Sequence, residues 1–365
     1  MGEFARCSAI ASAALERWPH ALVHFVLSRH APYVSRTPFP VTLLPSSATF
    51  HPAAVIELMQ AWLPNVVIFD NAGRSAQLRA AHRLGARIVF ISSRRRPRRR
   101  AFRLSWMRLI DEHWIAYPKL IAGDLGLMER LKLELLRRPV VRYLDVIMAR
   151  GTTSRGMAAS AAGPDAAADS GVAVDGWVAA DGEVVVIPGG GTGHPGAEGA
   201  AAQFLAAARS LAAAGFATIF VGPTDGIAPS AGIGVGVGMG MGMGMGSAGL
   251  RCVASVAQTE LAALMRGARL VIANGGSTLL QAIACGAPCV AAPIAGDQRA
   301  RIRRCAAAGV AVEAAPRATD LEAKARALLE DEPARAALAR RAAQLELADG
   351  IGVALAALEN LAHRS

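Results

Sequence analysis

Short apolar runs alternate along this chain with longer stretches whose apolar positions recur every three or four residues. In the first half, Ala21–Leu27, Asn65–Asp70, Arg87–Ile91 and His113–Ala116 read as strands. Ala9–Arg17, Ala53–Trp62 and Ser75–Leu84 carry helical spacing, the last closed by Gly85 as a C-cap. Trp106–Asp111 leads into the fourth strand. Apolar runs without polar alternation, set between helices, predict a parallel sheet covered on both faces. Such a domain opens with a strand, whereas this chain opens within what reads as a strand-to-helix loop. An opening strand is therefore expected to be missing.

Residues 151–180 are rich in Gly, Ala, Ser and Asp without a period, and 156–180 reads as a linker. The rhythm then restarts. Glu183–Ile187, Ala217–Val221, Arg251–Val253, Arg269–Ala273 and Pro288–Ala292 read as strands. Ala200–Ala214, Glu260–Arg266, Thr278–Cys285 and Gln298–Ala308 read as helices, and further helices run to about Ala362. The expected architecture is α/β, with two Rossmann-like domains, 1–155 and 181–365, facing across a cleft. At 232–246 glycine alternates with valine or methionine, too costly in backbone entropy for a stable element, so this tract reads as a disordered insertion.

The 365 residues are 53 % hydrophobic and carry a net charge of +11. Nucleic acid, an anionic membrane surface or a phosphorylated substrate would each suit that charge, as would an arginine-favouring codon bias. Nucleic acid is disfavoured because no aromatic platform accompanies the arginines. The five cysteines form no Cys-x-x-Cys pair, which fits neither a zinc site nor a disulfide framework and points to a reducing cytosol. Cys285 and Cys289 read as small buried fillers. No secretory signal and no membrane span is predicted, so any membrane contact is peripheral, on the inner face of the plasma membrane.

The most informative stretch runs from Ala273-Asn-Gly-Gly-Ser-Thr-Leu-Leu-Gln281 through Gly286-Ala-Pro288 to Asp297-Gln298. A strand ends, two glycines turn the backbone, and Ser277 or Thr278 starts a helix whose free amides favour an anion such as a diphosphate. Gln281 follows at i+3 and i+4 from Thr278 and Ser277, within reach of a ribose hydroxyl. The loop Gly189–Gly196 would face the same cleft, with Gly190, Gly191, Thr192 and His194 as candidate phosphate contacts. It lacks the lysine of an NTPase P-loop.

With its spacings, this stretch resembles the donor-binding segment of GT-B glycosyltransferases, especially the bacterial peptidoglycan N-acetylglucosaminyltransferase (family 28-like) and the UDP-glycosyltransferases. The resemblance covers about 35 residues. It implies that Asn274, Gly275, Gly276, Ser277 and Thr278 meet the diphosphate, that Gln281 stands where those families carry a ribose-binding Glu, and that Asp297 and Gln298 meet the donor sugar. It implies a hexosyltransferase using a nucleoside-diphosphate sugar, with uridine the usual base, and no metal or other cofactor. A sugar-nucleotide hydrolase and an inactive binding homologue are the alternatives, the latter because Ala273 replaces a histidine and Gln281 an acid.

For the acceptor side, Gly2-Glu-Phe-Ala-Arg6 resembles a Gly-His-type opening with Glu3 in the histidine's place. Glu3 and Asp70 are the candidate bases, Asp70 because it ends a strand at the carboxyl edge of a sheet. Arg6 and the run Arg94, Arg95, Arg96, Arg98, Arg99 and Arg100, read as a loop, are candidates for a phosphorylated or lipid-linked acceptor or for anionic lipid. Asp111, Glu112 and His113 form a further polar cluster.

Overall fold

The computed structural model describes residues 2–31, 34, 37–148, 182–189, 199–223, 234–235 and 249–362. The expected linker lies outside these residues, as does all of the 232–246 tract except Gly234 and Val235. The chain forms two compact units: Met1–Ile147 with Leu347–Ser365, and Met148–Glu346. The C-terminal helix thus belongs to the N-terminal unit, a return that no local pattern announces.

The first unit runs α1 (Gly2–Arg17), β1 (Phe25–Ser28), β2 (Val41–Leu44), α2 (Pro52–Trp62), β3 (Val66–Asp70), α3 (Ser75–Arg83), β4 (Arg87–Ser92), α4 (Arg95–Ala101), α5 (Leu104–Met107), β5 (Glu112–Ile115), α6 (Lys119–Ala122), α7 (Leu127–Leu136) and β6 (Val140–Tyr143). Strands β3–β4–β5–β6 make one parallel sheet. Along β4 the side chains divide by parity, as a pleated strand requires. Ile88 and Phe90 join Leu78, Ala81, Phe69 and Trp106 on one face, while Val89 and Ile91 join Ile10 and Trp114 on the other.

Strand β1 pairs in parallel with β2 alone, in a separate two-stranded sheet. Among the described residues no strand joins β1 to β3. Helix α1 lies across this seam. Phe4 meets Phe25 edge-on with ring centroids 5.9 Å apart, and Arg6 grips Asp70 at the end of β3. Beneath the seam Leu44, Val55, Met59 and Phe69 share one core. Because β1 lacks a second neighbour, its residues are only half-buried, which corrects the expectation of a fully buried strand at Ala21–Leu27.

The second unit runs β7 (Val184–Ile187), α8 (Ala200–Ala213), β8 (Thr218–Val221), β9 (Gly234–Val235), β10 (Leu250–Val253), α9 (Gln258–Gly267), β11 (Leu270–Asn274), α10 (Ser277–Ala284), β12 (Cys289–Ala292), α11 (Gly296–Ala307), β13 (Val312–Glu313), α12 (Ala318–Glu330) and α13 (Glu332–Gln344). Its described strands are all parallel, in the order β13-β12-β11-β7-β8-β10-β9. Two residues of the glycine-rich tract, Gly234 and Val235, pair at this edge with Arg251 and Cys252, so the tract is not wholly without structure. The last helix, α14 (Gly350–Ala362), packs on α1 in the first unit.

In the second unit the chain enters at β7, builds outward through β8, and then crosses to the other side at β11. The connections from β7 and β11 therefore leave in opposite directions. In open α/β sheets, that divergence at the carboxyl edge is where ligands bind.

Candidate functional site

The carboxyl ends of β7, β11 and β12 carry the predicted donor residues. Every residue of β11 is buried, down to Asn274 at 3 % exposure. The Asn274 side chain is a clip. Its Nδ2 donates to the Pro188 carbonyl at the end of β7, and its Oδ1 accepts from the Gly276 N–H at 2.6 Å. Gln298 does similar work from α11, its Oε1 accepting from Gly275 N–H at 3.2 Å and Ile294 N–H at 2.9 Å.

Both glycine amides thus have protein partners. The glycines themselves are explained by packing: a Cβ on Gly275 would lie 2.7 Å from Ile302, and one on Gly276 would lie 2.6 Å from Asn274 Oδ1. Replacing Gly276 with alanine is expected to cost about 1–3 kcal/mol by forcing that clip apart. Ser277→Ala, at an exposed position, should stay within about 0.5 kcal/mol. Thermal unfolding of the two variants checks both.

What stays open is the helix itself. Ser277 is exposed and Thr278 half-buried. The amides of Ser277 and Thr278 have no intrahelical acceptor, being in the first turn, and no partner among the described residues. At Gly189, φ +75° beyond β7, a Cβ would collide with Asn274 Nδ2 and lie 3.4 Å from Thr278 Oγ1, so only glycine fits there. The other glycine-loop candidates, Gly190, Gly191, Thr192 and His194, lie outside the described residues.

Gln281 is nine-tenths buried, with its Nε2 3.4 Å from Gln258 Oε1 on α9. Asp297 is 64 % exposed and pairs with Arg301 one turn along α11 at 3.5 Å. Arg301 was not among the predicted residues. It is 8 % exposed and donates to the Gly275 carbonyl, which sets a buried positive charge behind the glycine turn. The i,i+4 spacing from Asp297 was its only trace in the sequence.

In the first unit the predicted acceptor residues do converge. Arg6 Nε lies 2.9 Å from Asp70 Oδ2, and its Nη2 is 2.7 Å from both carboxylate oxygens. The two side chains are only 10 % and 7 % exposed. Cys7 Sγ is 3.5 Å from the same carboxylate. Asn71, at φ +52°, places its Nδ2 2.9 Å from Glu3 Oε1, 3.0 Å from Asp70 Oδ1 and 2.7 Å from Ser93 Oγ.

Burial pushes the Asp70 carboxyl above its ordinary range, and the facing guanidinium opposes that shift. Enclosed and doubly bonded, Asp70 clamps the first turn of α1 to β3. Asp70, expected as a base, and Arg6, expected as an acceptor contact, are thus paired with each other. Glu3 is half-buried beside the clamp and accepts from Asn71 Nδ2.

The arginine run is helical rather than a loop: α4 starts at Arg95 with buried Pro97 in its first turn, where a missing N–H is harmless. Arg98 turns inward to Glu129 at 2.7 Å and to the carbonyls of Ala122, Gly123 and Asp124. Arg100 stacks over Trp106 at 5.5 Å. Arg94, Arg95, Arg96 and Arg99 are exposed.

His113 is fully buried, with Nε2 2.8 Å from Ser92 Oγ. Burial lowers its pKa to about 3, so the ring is neutral. Glu112 pairs with Arg142 at 2.8 Å. Cys289 is buried, and Cys285 partly so. Among the described residues no group of three or more His, Cys, Asp or Glu is placed to hold a metal ion.

No family model and no curated protein matches the sequence. Solved structures do match over nearly its whole length. The spinosyn forosaminyltransferase SpnP aligns with a TM-score of 0.63 at 15 % identity, covering 98 % of this chain and 96 % of that one. The fold is GT-B. The spinosyn rhamnosyltransferase SpnG, complexed with thymidine diphosphate, aligns at 0.56 and 16 % identity, covering 97 % and 96 %. A protein described as a UDP-N-acetylglucosamine 2-epimerase, from Listeria monocytogenes, aligns at 0.52 and 14 % identity, covering 96 % and 91 %. The GT-B fold therefore accommodates both transfer and epimerisation, and at such identities the likeness carries the fold alone.

Proposed function

We propose that this protein is a glycosyltransferase that takes a hexose from a nucleoside-diphosphate donor and passes it to a hydroxyl acceptor. One observation carries the reading: an open helix N-terminus, α10, at the switch point of the second unit, whose Ser277 and Thr278 amides lack partners among the described residues. The pyrophosphate would take these amides and the two hydroxyls, with the Arg301 charge behind the turn adding a favourable field. As the glycosidic bond breaks, negative charge grows on the diphosphate, and fixed dipoles stabilise it there without reorganising. Asp297 and the Gln298 Nε2 face the sugar, and Gln281, buried against Gln258, acts on the ribose through its packing. No metal enters this scheme.

Glu3 would take the proton of the acceptor hydroxyl. An envelope polysaccharide or glycolipid, reached from the cytoplasmic side, is the acceptor class that a basic first unit supports. A sugar-nucleotide hydrolase on the same fold is the second reading, because Asp70 is tied to Arg6 and one structural neighbour is described as a UDP-N-acetylglucosamine 2-epimerase rather than a transferase.

Titration calorimetry with UDP and with thymidine diphosphate tests the site. Either nucleotide should bind, and Ser277→Glu should weaken it at least tenfold. That substitution suits a helix N-terminus but repels a diphosphate. Binding of neither, or an S277E variant that binds like the parent, defeats the proposal. Release of free sugar from a bound donor without acceptor would favour the hydrolase.

A further inference from the structure

Helix α7 presents its apolar side to solvent. None of its residues is buried, and Leu127, Met128, Leu131 and Leu135 are 82 %, 62 %, 54 % and 75 % exposed. At about 100° per residue these four fall within an arc of about 100°. The side turned toward the protein carries Glu129, Leu133 and Leu136, with Glu129 fixed by Arg98 at 2.7 Å. A surface helix ordinarily faces the other way.

The neighbouring surface is cationic. Arg98 ties α4 to α7, and Lys132 of α7 donates to the Phe102 carbonyl behind α4 at 3.1 Å. On α4 and α5 and their flanks, Arg94, Arg95, Arg96, Arg99, Arg103 and Arg108 are exposed, together with Leu104. Residues 71–110 hold twelve arginines and no Lys, Asp or Glu, so the other residues of this +11 chain sum to −1 (11 − 12). Arginine occurs throughout the chain, balanced elsewhere by acids; the net positive charge is confined to this segment. The acids close by are Asp124 and Glu134, both exposed, and the paired Glu129.

We propose that the outward face of α7 and the arginines of α4 and α5 together form a docking surface for an anionic lipid bilayer. Leucines enter the headgroup boundary while the arginines meet lipid phosphates. Ten residues make a helix about 15 Å long, so α7 lies in the interface and does not span it. Among the described residues no helix is long and apolar enough to cross a membrane. A second copy of the chain fits less well. Four side chains fall well short of the roughly 800 Å² per partner of a stable interface, and a two-fold contact would set like-charged arginines together. Nucleic acid would leave the leucines without a role. This inference stands independently of the glycosyltransferase reading.

The experiment is co-sedimentation of the full chain with vesicles of phosphatidylcholine alone or with 30 % phosphatidylglycerol. Binding is expected only with phosphatidylglycerol, falling at least tenfold in 0.5 M NaCl. The double substitution L131Q/L135Q, and separately R95Q/R96Q/R99Q, should each lower the partition coefficient at least tenfold with the melting temperature unchanged. Should the glutamine pair unfold the protein, Leu131→Cys carrying an environment-sensitive fluorophore replaces it, and its emission should shift to the blue on phosphatidylglycerol vesicles alone. Equal binding to both vesicle types, no binding, an L131Q/L135Q variant that binds like the parent, or an unshifted fluorophore overturns the proposal. So does a lipid-free dimer that L131Q/L135Q converts to monomer.

Discussion

Asp70→Ala should destabilise the first unit by about 3–5 kcal/mol, the size of effect found when one partner of a buried ion pair is removed. Arg6 would remain enclosed, charged and without its bidentate acceptor, and Asn71 Nδ2 would lose one of its three acceptors. The double variant R6M/D70L should recover most of this loss, because two apolar groups leave no charge stranded. Chemical denaturation of the single and double variants measures both. If Asp70 were the catalytic base, the double variant would be stable and inactive. For a clamp, activity returns with the fold and Glu3→Gln is the change that removes it.

Lowering the pH should destabilise the first unit through His113. The sign follows from its pKa, which is about 3 in the folded protein against roughly 6.5 for an unfolded histidine. Below 6.5 the unfolded chain binds a proton that the folded one refuses. The contribution is therefore complete above pH 6.5 and declines by about 1.4 kcal/mol per pH unit as the pH falls toward 3. The main cause is burial among Phe90, Phe102 and Ser92, with the Arg98 charge adding to it. Asp70, whose pKa is raised, acts in the opposite sense at acid pH, so the effect is isolated by comparison. The difference in unfolding free energy between the parent and His113→Gln, which keeps a partner for Ser92, should change with that slope between pH 6.5 and 4. A difference independent of pH would mean that the ring is charged in the folded state.

The central strands were legible because burial on both faces writes an unbroken apolar run: β4, β7 and β11 all fell where the sequence put them. The strands it passed over are short edge strands. β2 follows Pro38 and Pro40 and mixes Thr42 with apolar residues, while β6 follows Pro139 and includes Arg142. Helix α7 went unread because leucines fall on both of its sides, Leu127, Leu131 and Leu135 on one and Leu133 and Leu136 on the other, which blurs its period.

At the donor site the glycine turn was legible, but the state of each amide was not. Gly275 is answered by Gln298, 23 residues away, and Pro188 by Asn274, 86 residues away. Such pairings are invisible to a local reading; of the four residues from Gly275 to Thr278 they leave Ser277 and Thr278 with open amides among the described residues.

The seam between β1 and β3 divides the first unit mechanically. A continuous sheet spreads a strain across every ladder it contains, whereas here, among the described residues, the ties are the grip of α1, a shared layer of side chains, and the bonds from Arg74 and Gln77 at the start of α3 to the Thr49 and Ala48 carbonyls. Thermal agitation is therefore expected to loosen β1, β2 and α2 as a block ahead of β4 and β5, with the Arg6–Asp70 pair a latch on the α1 side of that block.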